Sequence, residues 1–324
     1  MHFFSARQYR IFSTATAVVL LCSLIFLSLC VPCVAEILSE ESEDNTADVP
    51  VLETVVVTGS AKDDVSGKTV YSEEMLSVFP AGDGNIEDLL KFMPGVQASD
   101  SSNPSFRGGE IISPLLSISG GKPYQNYFQI DGMGNNSLID PIEDNPSKID
   151  RLPGYPEAIF LNSHLVKEIT VYDNNIPVRF GGFTGGVVDV KTIDPASVAG
   201  GGVRYNTTRD NWTRFHVDPS DQSDFDQSST YFRQPQFTKH EGGFDLSLPI
   251  TPSSGLLLSY QFVYSEIPLV FFDTKRNQER FNQNFLLKFV SKPNATDKIT
   301  LQAIHSPYRA RYFIKDTLNS DFTL

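Results

Sequence analysis

The side chains best suited to catalysis or metal binding are spread through the sequence without the spacings that those chemistries need. His164, His216, His240 and His305 form no metal-ligand pattern, and the sequence contains no nucleophile elbow or phosphate-binding loop. The run Asp131 to Asn136 has the composition of a calcium loop, but its ligand spacing is wrong and no glutamate closes it, so an Asn/Gly turn is favoured. We therefore expect no catalytic residue, no metal site, no cofactor and no enzymatic activity.

The run ETVVVTGS, residues 53–60, indicates backbone pairing as a β-strand and not catalysis. Its three valines, Val55 to Val57, have high β-propensity, but they lie on an acidic and flexible arm predicted at residues 36–64. Nothing on that arm can pack against them, so the run is suited to pairing as an added strand with another protein. The alternative, of equal weight on local physics, is the first edge strand of the domain that follows.

The chain that must position these segments has 324 residues, of which 40% are hydrophobic, with 26 basic and 39 acidic residues. The hydrophobic content is that of a folded protein and not of a disordered chain or a helical membrane bundle. Because the net charge is −13 and no block of basic residues occurs, we do not expect nucleic acid as a partner.

The first 35 residues predict a secretory signal peptide. Arg7 and Arg10 precede an apolar run from Ala15 to Val31, and the tripeptide CVA at residues 33–35 supplies the small residues of a cleavage site. An uncleaved membrane anchor is the alternative, and a lipoprotein site at Cys30 is disfavoured by the large residue before it. All three cysteines lie in this leader, so no disulfide, cysteine-based zinc site or cysteine nucleophile is expected after cleavage.

Beyond the arm, residues 65–195 predict a small α+β domain. A short helix is expected from Ser72 to Leu76, and a second one begins at Asn85 and stops at Pro94-Gly95. Runs of β-branched and aromatic residues, separated by Gly and Asn clusters, predict strands. These strands are Ile112 to Ser119, Tyr127 to Ile130, Ile169 to Tyr172 and Gly186 to Lys191.

From residue 196 to residue 324 the sequence changes to alternation without helical periodicity. Apolar residues occupy every second position in Phe244 to Ile250, Leu256 to Tyr264, Phe285 to Phe289 and Ile299 to Ala303. Tight turns are predicted at residues 252–255 and 293–297, and a long polar loop is predicted from Ser265 to Arg280. Short turns at one end and long loops at the other are typical of antiparallel transmembrane β-barrel strands. A soluble antiparallel sandwich is the alternative.

Taken in order, several segments resemble the TonB-dependent outer-membrane receptors, and the resemblance covers most of the chain after the leader. Residues 53–58, Glu53-Thr54-Val55-Val56-Val57-Thr58, are similar to the family's TonB box, the segment that binds TonB. Residues 85–97 are similar to its plug helix, which ends in a Pro-Gly-Val turn. Three further plug signatures are similar to Phe106-Arg107-Gly108-Gly109, to residues 128–132 and to residues 166–192. The last of these is the most specific, because its paired glycines permit close backbone packing.

This resemblance implies an α+β plug domain followed by the first strands of a β-barrel, exported to the outer membrane of a Gram-negative bacterium. It also implies a function, the energy-coupled uptake of a scarce nutrient such as a ferric siderophore or a similar metal chelate. A non-transporting outer-membrane or periplasmic protein that binds a ligand or signals is the alternative. The implied partners are TonB with its ExbB-ExbD inner-membrane motor, outer-membrane lipid and a small-molecule ligand.

By the same resemblance, three outward-facing plug loops are expected to contact the ligand. The residues are Ser101, Asn103, Gly121, Lys122, Tyr124, Asn135 and Asn136. Lys122 and Tyr124 offer a positive charge and an aromatic face, which suit an anionic chelate.

The length after the plug differs from the family pattern. Receptors of this family have barrels of 22 strands, whereas the residues from 196 onward suffice for roughly five or six strands of about 10 residues each. We therefore expect a fragment or a truncated form, whose open sheet does not insert into lipid by itself because its edge N–H and C=O groups are unpaired.

Overall fold

The computed structural model describes residues 67–78, 82–98, 106–138, 141, 154–230, 232–271, 273–312 and 316–323. All of them belong to one unit, Ser60–Leu324. The predicted signal peptide, the acidic arm and the valine run at residues 53–58 lie outside the described residues. Within the described part of the chain, no helix is long and apolar enough to cross a membrane.

A mixed domain comes first, and a five-stranded sheet forms its centre. Its strands are β1 (Gly67–Tyr71), β2 (Val96–Ala98), β3 (Leu116–Ile118), β4 (Tyr127–Ile130), β5 (Met133–Gly134), β6 (Val166–Asn174) and β7 (Val187–Thr192). The sheet has the order β1-β6-β7-β4-β5, while β2 and β3 form a separate pair. Only β4 and β7 pair in parallel among these strands. The four predicted strands are therefore confirmed, although the first is shorter than expected because Pro114 cannot donate to a strand ladder.

Both predicted helices of this domain are confirmed as short helices, α1 (Glu73–Val78) and α2 (Ile86–Leu90). The apolar residues at helical spacing on α2 share one buried face, and Gly95 ends the following turn with a φ of 76°. Asn85 occupies the N-cap position but makes no side-chain cap bond; its amide donates instead to the carbonyl of Ile111. The helix start is thus held by a contact with another segment.

Six antiparallel strands follow and form one sheet in the order β13-β12-β11-β10-β9-β8. They are β8 (Gly200–Arg209), β9 (Thr238–Thr251), β10 (Ser254–Phe271), β11 (Thr274–Ser291), β12 (Ile299–Arg311) and β13 (Asp316–Thr323). The predicted alternation is confirmed in four of them. The apolar rows face outward and stay partly exposed, as Leu287 does at 46%, while the opposite rows of β10 and β11 are buried.

The predicted long loop from Ser265 to Arg280 is wrong. Strands β10 and β11 stay paired from Ser254↔Ser291 to Phe271↔Thr274, and the chain reverses at a tight turn that includes Asp273, whose φ is 56°. The polar residues that suggested a loop belong to the paired ends of β10 and β11 and to the turn between them. The long connection lies instead between β8 and β9, at residues 210–237, and contains the short helix α3 (Gln222–Asp226).

One hydrophobic core joins the mixed domain to the six-stranded sheet. It includes Leu89 and Leu90 of α2 and Val188 of β7, and it extends to Leu257 of β10 and Leu286 of β11. Burying a side chain of this size contributes about 1.5–3 kcal/mol. The mixed domain therefore packs directly on the inner face of the sheet.

Candidate functional site

The candidate site is the interface between the mixed domain and the inner face of the six-stranded sheet, and β11 provides most of it. From Gln278 to Val290, every second side chain of β11 points toward the mixed domain and is buried. This inner row consists of Gln278, Arg280, Asn282, Asn284, Leu286, Lys288 and Val290. Most of these residues are polar, and buried polar groups need hydrogen-bond partners. The mixed domain supplies many of them.

A buried ion pair joins Arg280 of β11 to Glu110 of the mixed domain. The guanidinium Nε lies 3.1 Å from Glu110 Oε1, and the two side chains are 0% and 5% exposed. Arg280 also donates to Gln278 and to the carbonyl of Arg311. Burial alone would raise the pKa of Glu110, but the charges of Arg280 and Arg107 outweigh it and lower that pKa. Glu110 is therefore held ionised within the interface.

A cluster of aromatic side chains lies around this ion pair. The ring of Tyr155 lies 4.9 Å from that of Phe160 and 5.9 Å from that of Tyr308, both edge to face. The guanidinium carbon of Arg280 lies 4.1 Å from the centroid of Tyr312. Cation–π contacts of this kind gain strength when they are desolvated. The aromatic rings thus exclude water from the charged pair.

A crossing segment, residues 154–162, lies between the centre of the mixed domain and β11. The side-chain amide of Asn282 donates to the carbonyl of Phe160 over 3.1 Å, and the backbone N–H of Asn162 donates to Asn284 Oδ1 over 3.0 Å. On its other side, the segment accepts and donates bonds with Asn135, including Ala158 N–H to the Asn135 carbonyl over 2.8 Å. The crossing segment is therefore held from both sides.

Near the C-terminal end of β11, Lys288 binds the end of β7. Its Nζ donates to the carbonyl and the hydroxyl of Thr192 over 3.1 and 3.0 Å, and it lies 3.1 Å from Asp194 Oδ1. Asp194 also pairs with Lys167 at 3.2 Å and Lys298 at 3.3 Å. Burial opposes ionisation of Asp194, but hydrogen bonds from the three lysines outweigh it and lower the pKa to about 2. One carboxylate thus links the mixed domain to β11 and to Lys298, the residue before β12.

Strand β9 adds a further contact through Lys239. Its Nζ donates to Asp83 and, over 3.0 Å, to the carbonyl of Glu110. Burial raises the pKa of Asp83 more than the charge of Lys239 lowers it. Lys239 therefore ties the segment before α2 and the Glu110 segment to the same strand.

The connection at residues 210–237 folds inward onto residues 106–109, one of the segments that resemble plug signatures. Phe225 packs on Phe106 with ring centroids 5.5 Å apart, and the N–H of Gly109 donates to Gln234 Oε1 over 3.0 Å. A Cβ on Gly108 would lie only 2.5 Å from the ring of Phe237, so a larger residue does not fit there. No sequence pattern predicts this contact, because residues 106–109 and residues 225–237 are more than 100 positions apart in the chain.

Of the expected ligand contacts, Lys122 and Tyr124 lie together on the surface. The Lys122 ammonium is 5.9 Å from the centroid of the Tyr124 ring, and Lys122 is exposed. Gly121 beside them is buried, and a Cβ on it would lie 2.5 Å from the Cα of Gly185. Glycine at this position is therefore explained by close backbone packing. Ser101 and Asn103 lie outside the described residues.

Asn135 and Asn136 are the other expected ligand contacts, and both amides bind backbone groups. Asn135 is buried and exchanges two hydrogen bonds with Ile159, while Asn136 bonds to the N–H of Phe128 and the carbonyl of Asn126. These bonds hold β4 and the crossing segment in place. Ligand contact by any of the seven residues stays a prediction.

The chain is similar to proteins of known sequence and structure. It is 36% identical over 184 residues to the uncharacterized protein YddB of Escherichia coli K12, a match that covers 54% of this chain and 23% of that protein. The crystal structure described as the outer membrane transporter YddB matches with a TM-score of 0.69 and 26% identity, covering 76% of this chain and 33% of the other. No protein-family model matches the chain.

A second solved structure shares the fold at lower identity. It is a mutant of the ferric enterobactin receptor PfeA from Pseudomonas aeruginosa in complex with enterobactin, with a TM-score of 0.50 and 14% identity. The match covers 76% of this chain and 34% of PfeA. This chain therefore spans about a quarter to a third of the proteins that it matches.

Proposed function

We propose that this chain, which has the fold of a TonB-dependent outer-membrane receptor, forms the plug and the first barrel strands of a receptor for energy-coupled nutrient uptake. The location is the outer membrane of a Gram-negative bacterium. In this proposal residues 1–35 are the signal peptide, residues 36–64 the arm, residues 65–195 the plug and residues 196–324 the first part of the barrel. The nutrient that we propose is a ferric siderophore or a similar metal chelate.

The observation that carries this proposal is the difference in polarity between the two faces of the six-stranded sheet. The inner row of β11 is polar and binds the mixed domain from Glu110 to Thr192. The outer rows are apolar and leave Leu287, Ile299 and Leu301 about half exposed or more. An apolar outer face suits lipid, and a polar inner face suits a plug that must remain movable.

The ligand class rests on the chemistry of the surface loop at residues 121–124. A lysine ammonium beside an aromatic ring can bind an anionic chelate through charge-assisted and stacking contacts. Lys122 and Tyr124 have this arrangement. The similar protein PfeA is described as a ferric enterobactin receptor, and at 14% identity that likeness concerns the fold alone.

The energy source is proposed to act on residues 53–58 through the TonB protein and its ExbB-ExbD motor. An isolated valine run can add as a strand to an open sheet edge of a partner, with backbone hydrogen bonds supplying the affinity. Replacing Val56 with proline removes one N–H and disturbs the strand geometry of its neighbours. We expect Val56→Pro to abolish capture of the chain by the C-terminal domain of TonB in a pull-down.

The matched control is Ser42→Pro, which places the same residue in the acidic part of the arm. We expect Ser42→Pro to be captured like the unchanged chain. Equal capture of the Val56→Pro variant and the unchanged chain would show that residues 53–58 are not the TonB-binding segment.

The ligand assignment is tested by titration with a ferric tris-catecholate chelate. Losing a charge-assisted contact costs about 1.5–3 kcal/mol, so we expect Lys122→Ala to weaken binding by about tenfold or more, and Tyr124→Ala to weaken it as well. Lys91→Ala is the control, because Lys91 makes the same kind of contact, 5.4 Å from the Phe92 ring, elsewhere in the mixed domain. Unaltered affinity in both loop variants removes this loop from the ligand site.

A further inference from the structure

Two acidic side chains meet inside the mixed domain. Glu87 lies on α2 and Glu157 on the crossing segment, and they are 1% and 4% exposed. The two carboxyl groups lie within hydrogen-bond reach of each other, and the hydroxyl of Ser113 lies beside Glu87. An ionised carboxylate only accepts hydrogen bonds, so two ionised carboxylates cannot bond to each other. One of the two must therefore carry a proton.

The charges that act most strongly on this pair are negative. Asp88, on the same helix, adds a negative charge, and its own partner Lys91 lies 2.9 Å from it. The charge that acts most strongly on Glu157 is that of Glu87 itself, which is also negative. If both groups were ionised, Glu87 Oε1 and Glu157 Oε2 would have no donor among the described residues. Nor do three or more His, Cys, Asp or Glu side chains of those residues form a group that could hold a metal ion.

We infer that Glu87 and Glu157 share one proton, and that this proton latches the crossing segment to α2. The arrangement is that of paired acids in which one pKa is strongly raised, because two like charges cannot both ionise at hydrogen-bond distance. A carboxylate that accepts the proton of its neighbour gains a strong O–H···O⁻ bond. This latch is independent of whether the chain takes part in uptake.

The position of the latch gives it consequences for the interface. The crossing segment carries Phe160 and Asn162, whose backbone groups bind Asn282 and Asn284 of β11. It also carries Tyr155, which packs against the ring of Tyr308 on β12. Loss of the shared proton places two negative charges within the buried contact and separates α2 from the crossing segment. The part of the mixed domain that contacts the sheet then becomes less firmly held.

The direction of the pH dependence follows from the pKa values. Burial raises the pKa of Glu87, and burial together with the charge of Glu87 raises the pKa of Glu157 well above the usual value of 4.5. A folded-state pKa above the unfolded value means that the stabilisation is complete below the unfolded pKa and is lost as pH rises through the folded pKa. The latch is therefore closed in acid and opens toward alkaline pH.

Hydrogen exchange of the full chain in detergent micelles tests the inference locally. Between about pH 5 and about pH 9, we expect protection factors of residues 154–162 to fall by up to about tenfold per pH unit above the titration of the pair, as loss of one proton requires. Glu157→Gln and Glu87→Gln should keep the segment protected at the alkaline end, since an amide N–H₂ donates to the remaining carboxylate at any pH. Glu168→Gln is the control, because Glu168 lies on β6 in an exposed pair with Lys191, and this variant should behave like the unchanged chain.

An infrared measurement keeps the inference testable if a variant fails to fold. The unchanged chain should show the C=O stretching band of a protonated carboxylic acid at neutral pH, and each folded glutamine variant should lose that band. Three results would overturn the inference. They are a glutamine variant that loses protection with pH like the unchanged chain, a neutral spectrum without the band, and a metal ion whose removal by a chelator opens the segment.

Discussion

Arg280 places a full positive charge in the interface, with no exposed surface on its side chain. Removing an ion from water costs several kcal/mol, and the cost is recovered only while its partner stays charged and well oriented. Glu110 meets both conditions. We therefore expect Glu110→Gln to lower the free energy of unfolding by about 3–5 kcal/mol, the usual cost of leaving a buried charge unpaired. Denaturant unfolding of the chain in detergent measures this change.

The same strand provides the control for that prediction. Glu279 pairs with Arg311 at 3.0 Å, but both side chains are about one third exposed. Glu279→Gln should cost less than about 1 kcal/mol, because exposed pairs are screened by solvent. Adding Arg280→Met to Glu110→Gln should restore part of the loss, since the double variant buries no ion without its partner. Equal costs for the two glutamine variants would contradict a special role for the buried pair.

At the scale of the elements, alternation predicted the outward faces of the strands but not their inner faces. The inner row of β11 is polar because it satisfies groups of the mixed domain, and its partners lie far along the chain. Asn282 bonds to a residue 122 positions away, and Lys288 to one 96 positions away. No local pattern contains such a pairing. The mistaken loop from Ser265 to Arg280 has a related cause, since the polar residues 274–277 are exposed at the end of the β10–β11 hairpin, and no local pattern shows that they remain paired there.

The glycines of the mixed domain show the same limit. Gly108 is expected within a plug signature and Gly121 among the ligand contacts, and neither expectation gives the reason for glycine at that position. The structure gives a more specific cause, since Phe237 lies against Gly108 and the backbone of Gly185 lies against Gly121. Both partners come from segments more than 60 positions away in the chain. Local conformation was predictable, whereas the close approach that requires glycine was not.

At the scale of the whole molecule, two contacts that support the interface between the mixed domain and the sheet respond to pH in opposite directions. The shared proton of Glu87 and Glu157 holds the crossing segment to α2 in acid. The Asp194 carboxylate, which Lys288, Lys167 and Lys298 surround, needs to be ionised and therefore holds only above its pKa of about 2. The interface is therefore most stable at intermediate pH. This range lies above the pH at which Asp194 is protonated and below the pH at which Glu87 and Glu157 lose their shared proton.

The acid limb of this profile gives the last prediction. The pKa of Asp194 is lowered from 3.8 to about 2, so its stabilisation is present above the unfolded value and is lost as pH falls from about 4 to about 2. A shift of this size in a buried group corresponds to about 2 kcal/mol, but Asp194 is partly exposed, so we expect about 1 kcal/mol. Asp194→Asn should therefore destabilise the chain by about that amount at neutral pH and by progressively less below about pH 4 in denaturant unfolding. The control is Glu168→Gln, which breaks an exposed pair with Lys191 inside the mixed domain and does not bridge to the sheet. A pH-independent loss in Asp194→Asn, or an equal loss in the control, would show that the carboxylate does not hold the domain to the sheet.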